Sequence, residues 1–254
     1  MENYKISVIV TTYNRKEFLK ETLNSIIEQS FKPFEVLVID NYSNYDIEGF
    51  INSIDKSIKL FKNHNNGIIS TNRNLGIKKS NGDILAFCDD DDIWEKNKLE
   101  IQLKKLIETG SDVIHSYINE FSESKISLKS YKPMSYQTVF FRNPVCLSTV
   151  MLKKTPDIFF NEEKSKFAIE DYSLWINLMF KNYKFHLIKK PLIRYRIISS
   201  SASFENRNLI EYNKIKLFRE IITNHLVPKK QIYLAIILQF RIIKSFIKIK
   251  CLIK

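Results

Sequence analysis

Glycine and proline are scarce, with 5 and 6 residues in 254, which excludes a collagen-like fibre and a linker-rich string of modules. Cysteine is scarcer still. Cys88, Cys146 and Cys251 are odd in number and far apart, so they supply neither a disulfide framework nor a metal cluster, and they suit a reducing cytosol. The four histidines, His64, His115, His186 and His225, share no ligand spacing, which argues against a zinc site. No window of 18 or more apolar residues is free of charge, so no segment reads as a membrane span. Met1 to Lys5 runs directly into a strand-like segment with no secretory signal. What is present is core material: 44% hydrophobic and 13% aromatic residues exclude a disordered chain and fit one medium domain with an appendage.

The net charge of +12 is unevenly distributed. Residues 1–120 carry 15 Lys/Arg against 19 Asp/Glu, and residues 121–254 carry 25 against 9. A basic second half suggests that one end of the molecule meets an anionic surface. Neither an aromatic RNA-binding signature nor a paired Cys/His finger accompanies it, so nucleic acid is not the expected partner.

Along the first half, Lys5 to Asn14 reads as a buried strand ending in a polar loop. Arg15 to Ser30 has helical apolar spacing, and Phe34 to Ile39 is a second strand closed by Asp40-Asn41-Tyr42-Ser43. A helix over about 46–55 and a strand at Ile58 to Phe61 follow. The alternation predicts an α/β fold with a mostly parallel sheet, whose ligands bind beyond the carboxyl ends of the strands. Thr11, Thr12, Tyr13, Asn14 and Asp40 fall on that edge. A dinucleotide-binding dehydrogenase is disfavoured, because no Gly-x-Gly-x-x-Gly follows the first strand. Ser70 to Ile77 opens a further helix, and Arg73 near its start is either a solvated surface residue or an anion-facing one.

Next, Ile84 to Cys88 is a strand that empties into Asp89-Asp90-Asp91-Asp92, ahead of an amphipathic helix over about 95–109. Neighbouring carboxylates repel unless a cation is close. Hard divalent ions such as Mg²⁺ or Mn²⁺ take one or two carboxylates together with substrate phosphates. Helix capping accounts for Asp92 and one neighbour at most, and not for four acids directly after a buried strand. The expectation is a divalent-metal site.

With these pieces assembled, the chain resembles a family-2 glycosyltransferase of the GT-A fold. The resemblance is carried by Ser7-Val-Ile-Val-Thr-Thr-Tyr-Asn-Arg15, Glu35 to Asp40, Asn66-Gly67, Arg73-Asn74, Gly76-Ile77, Gly82-Asp83 and Phe87 to Trp94. Downstream it continues through Ser148-Thr-Val-Met151, Glu170-Asp171-Tyr-Ser-Leu-Trp175, Tyr195-Arg196 and Ser199-Ser-Ser201, covering roughly residues 5–203 in order. It implies a Rossmann-like sheet flanked by helices, and inverting transfer of a sugar from a nucleotide-sugar, commonly a UDP-sugar, to an acceptor hydroxyl. Thr11, Tyr13 and Asp40 would hold the nucleoside, and Arg73 would approach the nucleotide. Asp89 and Asp90 would face the sugar-nucleotide, Asp91 would ligate Mn²⁺ or Mg²⁺, and Asp171 would be the catalytic base. Two positions depart from the family pattern: Asp40-Asn41-Tyr42-Ser43 stands for Asp-Asp-Gly-Ser, and Ile197 for a histidine. A diphosphate contact from the latter loop would come from Arg194, Arg196 or the serines. Without the resemblance, Glu170-Asp171 reads first as a cap on a helix from Tyr172 to Phe180, a role compatible with catalysis.

These readings divide the chain into a glycosyltransferase domain over 1–204, with a nucleotide-sugar half to about 110 and an acceptor half from about 111, and a basic helical extension over 205–254. Mixed strands are expected at Asp112 to Ser116, Leu147 to Lys153 and Phe185 to Ile198, with a mobile acceptor-side loop over 122–145. Trp94 and Trp175 read as core anchors. Val227 to Lys254 has no acid, and Ile232, Ile236, Ile237, Phe240, Ile243, Phe246 and Ile247 line one helical face. That suits docking on an anionic cytoplasmic leaflet, where a lipid-linked acceptor would sit, or else packing on the body or on a second copy. Two other readings stand: a nucleotide-binding module without catalysis, and an Asp-nucleophile phosphatase. The late position of the Asp run and Trp94 argue against the phosphatase.

Overall fold

An apolar run without polar alternation makes a strand only if both its faces are covered. β1 (Ile6–Thr12), β2 (Glu35–Asp40) and β4 (Ile84–Asp89) are such runs, and they are buried almost throughout. The structure, a computed structural model, describes residues 4–122, 125–198, 206–226 and 232–252. Successive side chains of β1 go to opposite layers: Val8 and Val10 pack with Leu19 and Leu23 of α1 (Lys16–Ile27) and with Leu99 and Leu103 of α4 (Lys98–Thr109). Ile9 packs on the other side with Leu174, Trp175 and Leu178 of α6 (Glu170–Phe180), where α3 (Ile69–Lys79) also lies. A methyl group on Gly76 of α3 would come within 2.5 Å of Ile9 Cγ2, so only glycine lets that helix sit on the sheet.

Among the described residues the sheet has nine strands, in the order β3 (Lys59–Lys62), β2, β1, β4, β8 (Met151–Lys153), β6 (Val113–Phe121), β9 (Phe185–Arg196) and β5 (Ile93–Trp94), with β7 (Ile126–Lys129) beside β6. β3 (Lys59–Lys62), β2, β1 and β4 run parallel, joined through α1, α2 (Ile47–Ile54) and α3. β8 (Met151–Lys153) is antiparallel to β4 and to β6 (Val113–Phe121), and β6 is parallel to β9 (Phe185–Arg196). The first half is therefore the expected parallel sheet, and the second half mixes directions.

Two expectations are corrected, and for the extension one of the two alternatives is seen. The helix after the acidic run starts at Lys98, because Ile93–Trp94 first forms β5 and pairs with Ile193 and Arg194 of β9. Segment 122–145 contains β7 (Ile126–Lys129), paired with β6, and α5 (Tyr136–Val139), closed by a reciprocal Ser135–Thr138 cap. The basic extension forms α7 (Arg207–Ile221) and α8 (Ile232–Leu252), and both pack on the body. Leu238 and Ile242 of α8 and Phe218 of α7 join Val139, Phe140, Tyr172 and Ile176 in one buried cluster. The face read as apolar is the outer one: Ile232, Ile236, Phe240, Ile243 and Ile247 are each at least half exposed. Trp94 and Trp175 are core residues, as read.

Candidate active site

The carboxyl ends of β1 and β4 and one side of α3 enclose a cleft of about 320 Å³. Thr11, Tyr13, Arg73, Asp89, Asp90 and Asp91 line it, so six of the seven residues assigned to nucleotide or metal come together. Asp40 is fully buried and is not among the lining residues; its carboxylate accepts from Ser43 N at 3.1 and 3.0 Å and from Ser43 Oγ at 2.6 Å. The loop that departs from the family pattern is cross-tied. Asn14 N donates to Ser43 Oγ at 2.9 Å, Asn65 N to Asn41 Oδ1 at 2.9 Å, and the Tyr42 ring stacks on His64 at 3.7 Å. Tyr42 has φ +59°, a left-handed conformation that the family's usual glycine would adopt without strain.

The four aspartates have four different environments. Asp90 accepts from Thr12 Oγ1 at 2.8 Å and from Arg15 Nη1 at 3.1 Å, and Asp91 takes the same guanidinium at 2.7 Å. Burial pushes Asp90 up to about 6 against the pull of Arg15, and burial together with Asp89 raises Asp91. Asp89 is the most open of the three cleft carboxylates, bonded to Arg73 Nη2 at 3.1 Å, while its backbone N–H donates to Ser148 Oγ at 3.0 Å. Asp92 caps no helix. It is fully buried, Arg196 N donates to its Oδ1 at 3.2 Å, its Oδ2 has no partner, and burial raises its pKa far above the carboxylate range. It is not among the residues lining the cleft.

Arg73 is not a solvated surface residue. It is buried, and it bridges Asp89 of β4 to Glu170 at the start of α6. Burial works against its charge, and Asp89 and Glu170 outweigh burial and raise its pKa. Arg73 Nε and Glu170 Oε2 are left without a partner. This bridge forms a wall: Arg73, Asp89, Ala168, Glu170 and Tyr195 line both the cleft and a second cavity of about 320 Å³ behind it.

Asp171 lies in the second cavity with Asn143, Cys146 and Tyr131. The helix starts at Glu170 after Ile169, with no side-chain cap, so the capping reading of Glu170-Asp171 does not hold. Asp171 Oδ1 accepts from Tyr172 N at 2.6 Å and Oδ2 from Asn143 Nδ2 at 3.0 Å. Burial, reinforced by Glu170 and opposed by Arg73, raises its pKa to about 7. A carboxyl near neutrality beside a cavity is suited to accepting a proton.

Of the diphosphate candidates, Arg194 lies 3.9 Å from Glu95 and Arg196 bonds Glu21 and Asp91 O while stacking on Phe18 and Phe121. Neither is among the residues lining the cleft, and Ser199-Ser-Ser201 falls outside the described residues. Arg15, Glu170, Tyr195 and Asn143 have no site role in the sequence reading, Glu170 being read there only as part of a helix cap. The first three sit inside matched motifs, which was the available signal; Asn143 sits in an irregular segment with none.

The donor set suits an ion that arrives with its substrate. Among the described residues, no three or more His, Cys, Asp or Glu side chains are grouped to hold a metal by themselves. A hard divalent ion bound through one or two carboxylates plus phosphate oxygens needs no such cage. The partly open Asp89 and Asp91 are donors of that kind.

Comparison with known proteins agrees with this geometry. The chain is 32% identical over 238 residues to an uncharacterized glycosyltransferase of Rickettsia bellii, covering 90% of this chain but 34% of the relative. It spans roughly a third to two-fifths of the length of the Rickettsia relatives it matches. It is 27% identical to the Escherichia coli UDP-Glc:alpha-D-GlcNAc-diphosphoundecaprenol beta-1,3-glucosyltransferase WfgD, covering 80% of this chain and 81% of that one. The fold is shared with Staphylococcus aureus TarS 1–349, solved with UDP-GlcNAc, at a TM-score of 0.72 and 21% identity, covering 93% of this chain and 72% of that one. Residues 7–193 match the profile of Glycosyl transferase family 2. With most of its length inside that profile, and its acidic cleft where the parallel strands end, the chain belongs to glycosyl transferase family 2.

Proposed function

We propose that the chain transfers a sugar, with inversion, from a UDP-sugar to a hydroxyl of a lipid-linked saccharide, in the synthesis of a cell-surface polysaccharide or glycolipid. The observation that carries this is the shared wall: an acidic, phosphate-suited cleft and a cavity holding a near-neutral carboxyl meet across Asp89, Arg73 and Glu170. Inverting displacement requires a donor on one side of the anomeric carbon and a deprotonated acceptor on the other.

Thr11 and Tyr13, with Asp40 behind them, would hold the nucleoside, and Asp89 and Asp90 would face the sugar and diphosphate. Asp91 would hold Mn²⁺ or Mg²⁺, which supplies Lewis-acid neutralisation of the leaving diphosphate. Arg73, held by Glu170 and Asp89, keeps a positive charge and an unpaired Nε–H at the wall. In the second cavity the ionised Asp171 takes the acceptor hydroxyl proton as the new C–O bond forms and the bond to the UDP oxygen breaks. Tyr131 and Tyr195 give that cavity apolar ring faces suited to a sugar acceptor.

The lipid-linked acceptor is supported by WfgD, whose name gives a diphosphoundecaprenol acceptor. It is also supported by the outer face of α8: Ile236, Phe240, Ile243 and Ile247 are exposed beside Lys244, and Ile232–Leu252 has no acid. Among the described residues no helix is long and apolar enough to cross a membrane. An apolar stripe with basic flanks fits an anionic bilayer surface, with the chain peripheral on the cytoplasmic leaflet. Replacing Phe240 and Ile243 by glutamate should abolish flotation with phosphatidylglycerol liposomes without unfolding the protein. Retained flotation, or loss of a dimer on the same substitutions, would remove the membrane partner.

The reaction itself is tested by donor hydrolysis over a panel of UDP-, GDP- and dTDP-sugars with Mn²⁺ or Mg²⁺, with and without chelator. Chelator-sensitive release of UDP from one sugar supports the reading. No metal-assisted binding or turnover of any of them by calorimetry and hydrolysis would overturn it.

A further inference from the structure

The segment that carries Asn143 contains one helical turn, α5, yet its backbone is tied to the helical layer at three consecutive carbonyls. Tyr172 Oη donates to Val139 O, while Arg241 of α8 donates from Nε to Phe140 O at 3.2 Å and from Nη2 to Phe141 O at 2.6 Å. These carbonyls end α5, where no further turn would satisfy them. The apolar neighbours fix the same contact: Leu238 and Ile242, three before and one after Arg241, are buried against Val139, Phe140 and Tyr172. Two residues beyond Phe141, the side chain of Asn143 is oriented from both ends. Val145 N donates to its Oδ1 at 3.2 Å, which turns the amide so that Nδ2 donates to Asp171 Oδ2 at 3.0 Å. Asp171 Oδ1 is held by Tyr172 N, so the carboxylate is fixed at both oxygens.

We propose that Asn143 is a positioning residue for the Asp171 carboxylate, and that Arg241 on the tail helix sets Asn143 through the carbonyls of Phe140 and Phe141. α8 then belongs to the support of the acceptor cavity as well as offering an outer face. The inference rests on Asp171 being the base. Asp171 is faced by Glu170 on its own helix, Arg73 from α3, and Asn143 and Cys146 from the segment after α5; Asp89, Lys129, Tyr131 and Tyr195 line the same cavity. Of these, Asn143 contributes a neutral donor to the ionised form, so its loss should disfavour that form.

The direct test is the ¹³C carboxyl titration of Asp171 in the full-length, ligand-free protein, assigned by its absence in Asp171→Asn. Asn143→Ala should raise the apparent midpoint by about one pH unit, Arg241→Met by less, and the pair by no more than Asn143→Ala alone. The acidic limb of kcat/KM for UDP-glucose or UDP-GlcNAc hydrolysis with Mn²⁺ should move by the same amount. At pH 7, kcat should fall about 10-fold or more with donor KM unchanged. Gln239→Ala, at an exposed position of α8, should move neither reading. If Asn143→Ala does not fold, Asn143→Asp serves, since an isosteric like charge should raise the midpoint further. An unmoved Asp171 midpoint in a folded variant, or shifts from Asn143→Ala and Arg241→Met that add, would overturn the proposal. Undiminished turnover in Asp171→Asn would instead sink the base assignment itself, so the two failures are distinguishable.

Discussion

The two halves of the sheet bear function in different ways. In the first half the functional side chains sit at the ends of regular parallel strands, so the strand register decides where they go: Thr11 pairs with Ile39 and Asp89, and Thr12 with Asp40. In the second half the sheet mixes parallel and antiparallel pairs, with bulges between β6 and β9, and the cavity is built from segments between elements. Asn143 and Cys146 lie between α5 and β8, and Asp171 is in the first turn of a helix. The parallel half fixes a site through topology, whereas the mixed half fixes one through individual side-chain bonds.

The comparison is broken most severely at Asp171. If the second half supplies the base, Asp171→Asn should lower kcat by about 10²–10⁴-fold while calorimetric affinity for the UDP-sugar stays within about threefold of wild type. Near-normal turnover would return the second half to a purely structural role. The complementary change in the first half, Asp91→Ala, should remove the gain in UDP-sugar affinity that Mn²⁺ confers, about 10- to 100-fold, and leave metal-free binding little altered. Affinity that depends equally on Mn²⁺ in the variant would move the metal elsewhere in the acidic run.

The pH dependence sharpens the same division. The Asp171 carboxyl is raised to about 7, chiefly by burial, and a base works only when ionised. Activity should therefore be low at pH 5 and rise through an inflection near neutrality, with slope one and little change in donor KM. A profile flat from pH 5 to 8 would exclude Asp171 as the titrating base.

How much of this could be read from sequence follows from the same contrast. The parallel strands, α1, α2 and the cleft residues Thr11, Tyr13, Arg73 and Asp89 to Asp91 were legible, since strand–loop–helix periodicity locates the carboxyl edge without tertiary information. The partner of Arg73 was not, because Glu170 is 97 residues away and the pairing exists only once α6 packs on the sheet. Asp92 was misread as a cap because a two-residue strand, β5, is too short to leave a period. In α8 the more continuous apolar face was the exposed one, while Leu238, Ile242 and Ser245 formed the buried side. Both faces carry helical spacing, and periodicity cannot tell which of them meets a core.

The smallest effect lies at the opposite edge of the parallel half, where no chemistry is expected. The Glu35 carboxylate accepts from Ser7 Oγ at 2.6 Å, Asn81 N at 2.5 Å and Lys59 Nζ at 2.7 Å. Ser7 Oγ in turn accepts from Gly82 N at 2.9 Å, at a glycine whose added methyl group would meet Lys5 O at 2.5 Å. Burial alone would raise the Glu35 pKa, but the Asn81 amide, Lys59 and Ser7 outweigh it and hold the group at about 2. Because the folded value lies below the unfolded one, Glu35 stabilises the fold above about pH 4.5, and that contribution is lost as pH falls toward 2. Glu35→Gln should therefore cost about 1–2 kcal/mol in urea unfolding at pH 7. The difference from wild type should shrink as the pH is lowered below 4.5, with kcat and donor affinity unchanged throughout. A matching loss of activity would mean that this edge communicates with the cleft, and the parallel half would then be coupled end to end instead of carrying a site at one edge only.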